Sequence, residues 1–133
     1  MKLSRPGDRT SETAGASQFT GTVWTEELAD GGPPVRLHAA RVTFAPGART
    51  AWHAHPRGQI LLAEAGVGRV QRDGAPAETL RPGDAVVIEP GERHWHGAGP
   101  SHVFVHVAIQ AATEDGSQAV WQEPVTDAEY TRA

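Results

Sequence analysis

The chain of 133 residues contains no cysteine. Disulfide staples and thiolate metal sites are thereby excluded, and the absence fits a reducing, cytoplasmic setting. A basic stripe is also lacking. Its 12 Lys and Arg face 16 Asp and Glu, a net charge of −4, and neither sign gathers into a block. A nucleic-acid surface needs clustered positive charge, so no nucleic-acid partner is expected. No stretch approaches the ~20 apolar residues of a membrane-spanning helix, so no membrane role is expected. The opening MKLSRPGDRT has no apolar segment of the secretory-signal kind. Aromatic residues are scarce at 6%. No long segment of helical periodicity competes with the short-period pattern described next.

Turn chemistry is plentiful. Glycine (15) and proline (10) punctuate the chain between short apolar runs. That spacing predicts turns rather than a disordered tract. Residues 1–17 are polar and read as a flexible arm; 18–133 read as one domain. QFTGTVWTEEL reads as a first strand at a sheet edge. In VRLHAARVTF, residues His38, Ala40, Val42 and Phe44 alternate with Leu37, Ala39, Arg41 and Thr43. RTAWHAH, GQILLAEAG, GRVQRDG, AVVIEPG, ERHWHGAG, SHVFVHVAIQ and AVWQEPV follow as further strands. Thr126 is placed to cap a short C-terminal helix in TDAEYTRA. About eight short strands with turns between them predict an all-β sandwich or barrel.

Seven histidines stand out: His38, His53, His55, His94, His96, His102 and His106. Four of them form two His-x-His pairs. Residues i and i+2 of a strand share a face, so HAH (His53–His55) can offer two nitrogens to one ion. Gln59 can add an oxygen, and HWH (His94–His96) one or two more nitrogens. Three imidazoles and one oxygen leave positions open for substrate. A single such pair is ordinarily a core or surface feature; the spacing around it changes that reading.

The spacing around the pairs carries a resemblance. GARTAWHAHPRGQILLAEAG (Gly47–Gly66) resembles the first cupin motif: glycine, five residues, His-x-His, three residues, a ligand, six residues, glycine. GDAVVIEPGERHWHGA (Gly83–Ala98) resembles the second. Two positions depart from the pattern: Gln59 stands for the usual glutamate and Glu89 for the usual first proline. The resemblance implies a jelly-roll barrel (the cupin double-stranded β-helix) and metal ligands His53, His55, Gln59 and His94. A neutral fourth ligand leaves the ion one charge more positive and hence a stronger Lewis acid. The donor set suits Mn2+, Fe2+, Ni2+, Co2+ or Zn2+.

FTGTV, VTFAPGARTAWHAHPRGQ, PGERHWHGA, HVAIQ and VTDAEY extend the likeness to the small manganese-dependent cupin hydroxynitrile lyases of bacteria. That implies Mn2+, cleavage of mandelonitrile to benzaldehyde and hydrogen cyanide, and His106 near the metal as an acid or base. His96 is either a second such group or an orienting neighbour. Ala40, Val42 and Phe44 are expected as an apolar wall. Thr50 is a candidate for hydrogen bonding to substrate, and Gln110 shares the His106 face. His38 and His102 are expected in solvent, Arg49 and Arg57 at the surface, and the four tryptophans in packing or dimer contacts. A metal-dependent dioxygenase or other oxidoreductase is the competing reading, and a non-catalytic small-molecule sensor a third. A homodimer or larger homo-oligomer is expected.

Overall fold

A computed structural model describes residues 1–133. The strands in chain order are β1 (Glu12–Thr13), β2 (Phe19–Thr20), β3 (Val23–Asp30), β4 (Leu37–Phe44), β5 (Arg49–Thr50), β6 (His53–Ala54) and β7 (Gln59–Gly66). They continue as β8 (Gly68–Arg72), β9 (Glu78–Leu80), β10 (Ala85–Ile88), β11 (His94–Ala98), β12 (Phe104–Ala111) and β13 (Val120–Trp121). Helix α1 (Asp127–Arg132) closes the chain. Thr126 caps it through a reciprocal capping box with Glu129. The fold is nearly all β, as the alternation predicts.

Two antiparallel sheets face each other. One runs β1-β3-β4-β12-β7-β10. The other is built on β11, with β5 and β6 along one edge and β8 along the other. Strand β7 shows why one face points inward. Gln59, Leu61 and Ala63 are buried while Ile60, Leu62 and Glu64 are exposed, the period-2 pattern of a strand with one covered face. Val23, Val42, Phe44, Ala48, Ala63, Val70, Leu80, Ala98 and Phe104 form the main core. A fully buried Phe contributes roughly 1.5–3 kcal/mol through its removal from water.

RTAWHAH is not one strand, as its alternation suggests, but two. The chain changes partners at Ala51 and Trp52: Ala51 N–H donates to Gln18 O, and Trp52 N–H to Glu123 O. The arm carries a short 3-10 turn (Pro6–Asp8), and its β1 pairs with Thr25 and Trp24 of β3.

The outer side of the histidine strands is held by the C-terminus. Trp52 and Trp95 alternate with the histidines and pack with Val125 and Tyr130. The Trp52 indole donates to Glu129 and the Trp95 indole to Gln71. Tyr130 Oη donates to Ala98 O at 2.8 Å. Arg49 corrects the expectation of a surface charge. It is only 5% exposed. It donates to Val125 O and Asp127 while lying 4.7 Å from the Tyr130 ring centroid. A strand residue pointing away from the barrel interior is buried here because α1 covers it.

Candidate metal centre and active site

Cross-strand register assembles the site. His94 of β11 lies directly opposite His53 of β6, and Trp121 of β13 lies opposite His53 on the other side. Directly opposed residues share a face, which puts the three rings in a row. His53 lies between them, tilted to His94 at 4.2 Å and stacked on Trp121 at 4.5 Å, ring centroid to centroid. His55 stands 4.9 Å from His53 and 5.4 Å from His94. His106 arrives from β12 on the facing sheet and meets His96 of β11, with 2.9 Å between His106 Nε2 and His96 Nδ1. Gly97, beside His96, lets β11 and β5 touch. A Cβ there would fall 2.4 Å from Ala48 O, closer than any side chain tolerates.

The hydrogen bonds decide which nitrogen each ring offers. His53 Nδ1 donates to Ala51 O, His55 Nδ1 to Gln118 O and His94 Nδ1 to Glu92 O, each at 2.9 Å. A carbonyl only accepts, so each Nδ1 carries the proton and each Nε2 keeps a lone pair. His55 Nε2, His94 Nε2, His96 Nε2, His106 Nδ1 and Gln59 Oε1 are buried without any hydrogen-bond partner. Bare acceptors such as His55 Nε2, His94 Nε2 and Gln59 Oε1 are costly unless something fills the space between them. A divalent cation does so: neutral imidazoles fixed through Nδ1 and an amide oxygen are ligand chemistry. The ligand atoms of His53, His94 and His96 lie within 4.8 Å of one another. The donor set therefore fits a divalent metal.

Electrostatics agree. Burial pushes His94 down to about 4, aided by the charge of His55. Burial likewise holds His106 at about 4. His53 and His96 are driven well below the ordinary histidine range by burial, reinforced by neighbouring imidazoles. His55 is lowered by burial and partly restored by its bond to Gln118. All five rings are neutral at pH 7, the state in which imidazole binds metal.

The His96–His106 pair has its own chemistry. One ring must donate and the other accept across their 2.9 Å bond. If His106 donates, its Nδ1 is a lone pair and His96 Nε2 bears a proton; if His96 donates, the two ends exchange. In either case the neutral pair presents one N–H and one lone pair at its ends.

A cavity of about 410 Å³ opens over the site, within the range of small-molecule sites. Ala40, Val42, Thr50 and Gln110 line it together with His53, His55, Gln59, His96 and His106. Thr50 Oγ1 accepts from His96 N–H at 3.2 Å, so it also tethers β11. Phe44 does not line the cavity. It is fully buried, 5.3 Å from the His106 ring and 6.3 Å from Phe104. It shares a strand face with Ala40 and Val42, but the core closes at its end of β4. Trp121 is not confined to packing: it lines the cavity against His53. Ala108 and Gln118 line the cavity as well. Ala108 was readable from its shared face with His106, whereas Gln118 had no local signal. A larger cleft of about 1040 Å³ lies between the arm and β3. It holds His38, which sits 3.5 Å from Asp30, and none of the clustered histidines. His102 is exposed.

Residues 40–107 match the model of the Cupin domain family, and that span contains both His-x-His pairs and Gln59. The chain belongs to the cupin family. This cupin is 47% identical over 132 residues to (R)-mandelonitrile lyase of Granulicella tundricola, covering 99% of this chain and 100% of that protein. Its backbone superposes on a cupin-like protein of Thermotoga maritima with a TM-score of 0.85 and 41% identity, over 91% of each chain. The polyketide cyclase RemF of Streptomyces resistomycificus shares the fold at a TM-score of 0.74 and 19% identity, over 98% of this chain and 90% of that one. No helix is long and apolar enough to cross a membrane.

Proposed function

We propose that this cupin is a metal-dependent hydroxynitrile lyase, reversibly cleaving aromatic cyanohydrins such as mandelonitrile to an aldehyde and hydrogen cyanide. One observation carries the reading. Bare metal donors and a separate histidine pair meet at one small cavity, in a chain 47% identical along its length to a mandelonitrile lyase. The proposed ligands are His53, His55, Gln59 and His94, and the proposed ion Mn2+. His53, His55 and His94 share the Nδ1-to-carbonyl lock, which supports them over His96, whose Nδ1 is engaged by His106.

When bound, the ion supplies Lewis acidity that lowers the pKa of a hydroxyl brought to it. The chain supplies the rest. Ala40, Val42 and Ala108 leave room for an aryl ring, and Thr50 and Gln110 offer polar contacts at the cavity wall. The lone-pair end of His96–His106 takes the hydroxyl proton. The bond between the carbinol and nitrile carbons breaks, its electrons leaving with cyanide and the carbinol becoming a carbonyl. A proton from the same pair completes hydrogen cyanide, so the protons balance. No electron is lost or gained overall, which suits a neutral fourth ligand. The donor set also accommodates iron and dioxygen, the competing oxidoreductase reading.

Benzaldehyde release from mandelonitrile tests the proposal, using manganese-loaded protein, metal-stripped protein and His53→Ala. Activity in loaded wild type alone is the expected result. A fully loaded protein with no activity above background overturns the lyase reading, and oxygen uptake then becomes the measurement of choice.

The outward face of the six-stranded sheet supports a homodimer. Ile60, Leu62 and Val87 are exposed there. In register beside them, Val107 pairs with Leu62 and Ile109 with Ile60. A sheet face meant for water carries polar residues; here Arg41 bridges Glu26 and Glu64 over part of the face, and the exposed apolar patch is confined to Ile60, Leu62 and Val87 on β7 and β10. Light scattering of wild type against Leu62→Glu tests it, with a dimer and a monomer expected.

A further inference from the structure

We infer that Gln110 and Gln118 form a directional amide chain that holds the oxygen of Gln59 toward the metal, making them positioning residues for a neutral ligand. The inference rests on the proposed role of Gln59 as a ligand and deepens it.

Gln59 Nε2 donates to Gln110 Oε1 at 3.0 Å. Gln110 Nε2 donates in turn to Gln118 Oε1 at 3.1 Å. Both bonds run the same way, away from the metal site. Gln59 Oε1 is left buried and without a partner. The same Gln118 accepts from His55 Nδ1 through its backbone carbonyl at 2.9 Å. Gln118 thus touches one proposed ligand, His55, by its main chain, and reaches Gln59 only through Gln110. Three separate elements contribute. Gln59 opens β7, and Gln110 sits near the end of β12. Gln118 follows a turn that is closed by Gly116 N–H donating to Thr113 O and by Thr113 N–H donating to Ser117 O.

The chain answers a problem that glutamine creates and glutamate does not. The two oxygens of a carboxylate are equivalent, so either orientation ligates. An amide has an oxygen on one side and two N–H donors on the other, and only the oxygen can face a cation. Rotated by half a turn, Gln59 would set Oε1 against Gln110 Oε1 and its N–H groups toward the histidine cluster. The Gln110 acceptor penalises that rotation. A neutral fourth ligand therefore requires an acceptor at position 110, and Gln110 can present its oxygen there because its own NH2 group is engaged by Gln118.

Manganese affinity, measured by competition with a chelating dye, tests this without reference to turnover. Gln110→Met keeps the length of the side chain but removes the acceptor. Its affinity is expected to fall about ten-fold or more, the usual effect of losing a partner that orients a ligand. Gln110→Glu restores an acceptor and is expected to recover most of the affinity, with the cobalt(II) absorption spectrum of wild type. Gln110→Met should change that spectrum. Once Gln110→Met has cut the chain, adding Gln118→Met should cost little more. Unchanged affinity in Gln110→Met, no rescue by Gln110→Glu, or fully additive losses in the double variant each overturn the amide chain alone. If wild type binds no manganese, or His53→Ala binds it as tightly as wild type, the ligand assignment fails and this inference fails with it.

Discussion

Acidifying the metal-free protein should unfold it well above the pH at which carboxylates protonate. His94 and His106 are fully buried, and both are held at about 4 against an ordinary 6.5. Their folded-state pKa is depressed, so below pH 6.5 the unfolded chain binds protons that the folded chain does not. Stability is then fully present above 6.5 and is lost as the pH falls toward 4. Each shift is about 2.5 units, worth roughly 3 kcal/mol per histidine at 1.36 kcal/mol per unit. Together the two withdraw roughly 2–3 kcal/mol per pH unit across the window, or about 6 kcal/mol by pH 4. His53 and His96 are shifted the same way and add to the loss. A domain of this size has a total of about 5–15 kcal/mol. Urea midpoints of metal-free protein between pH 7.5 and 4.5 measure the slope. A steep decline beginning near pH 6.5 is expected, and a bound divalent ion should move it to lower pH by competing with protons for the same nitrogens. A flat profile down to pH 5 would show that the rings are solvated or already protonated, and the reasoning about neutral ligands would fail with it.

Other outcomes are as definite. Gly97→Ala drives a Cβ into Ala48 O and the Arg49 backbone; it should cost about 1–3 kcal/mol by forcing β5 from β11 and should weaken metal binding, read by melting temperature and dye competition. Arg49→Lys loses the paired bonds to Val125 O and should destabilise the fold by about 1–3 kcal/mol, with faster amide exchange over residues 125–132. Removing metal with a chelator should lower the melting temperature, since an ion at 100 times its Kd stabilises the folded state by about 2.7 kcal/mol; no shift would mean that no ion is held.

Much of the architecture was readable because its cause is local. Alternation marked β4 and β12, a mostly apolar run of strand length marked β7, and Thr126 marked the helix cap. The His-x-His spacing is also local, and it put His53 and His94 on inward faces. What escaped depends on register between distant segments. Trp121 meets His53 only because β13 pairs with β6, and Gln118 meets His55 only because its turn folds back over the site. Arg49 appeared exposed because nothing near it in sequence predicts that α1 lies across it. Phe44 carries the right alternation to reach the cavity, but alternation gives a face and not a depth. The split of RTAWHAH reflects a change of hydrogen-bond partner that no property of those residues announces.

An anomalous difference map from crystals soaked in manganese tests the central claim most directly. One peak is expected, within about 2.0–2.3 Å of His53 Nε2, His55 Nε2, His94 Nε2 and Gln59 Oε1, with His96 outside that distance and still bonded to His106. A peak held by His96 in place of His55 and Gln59, or no peak among the histidines at all, would contradict it.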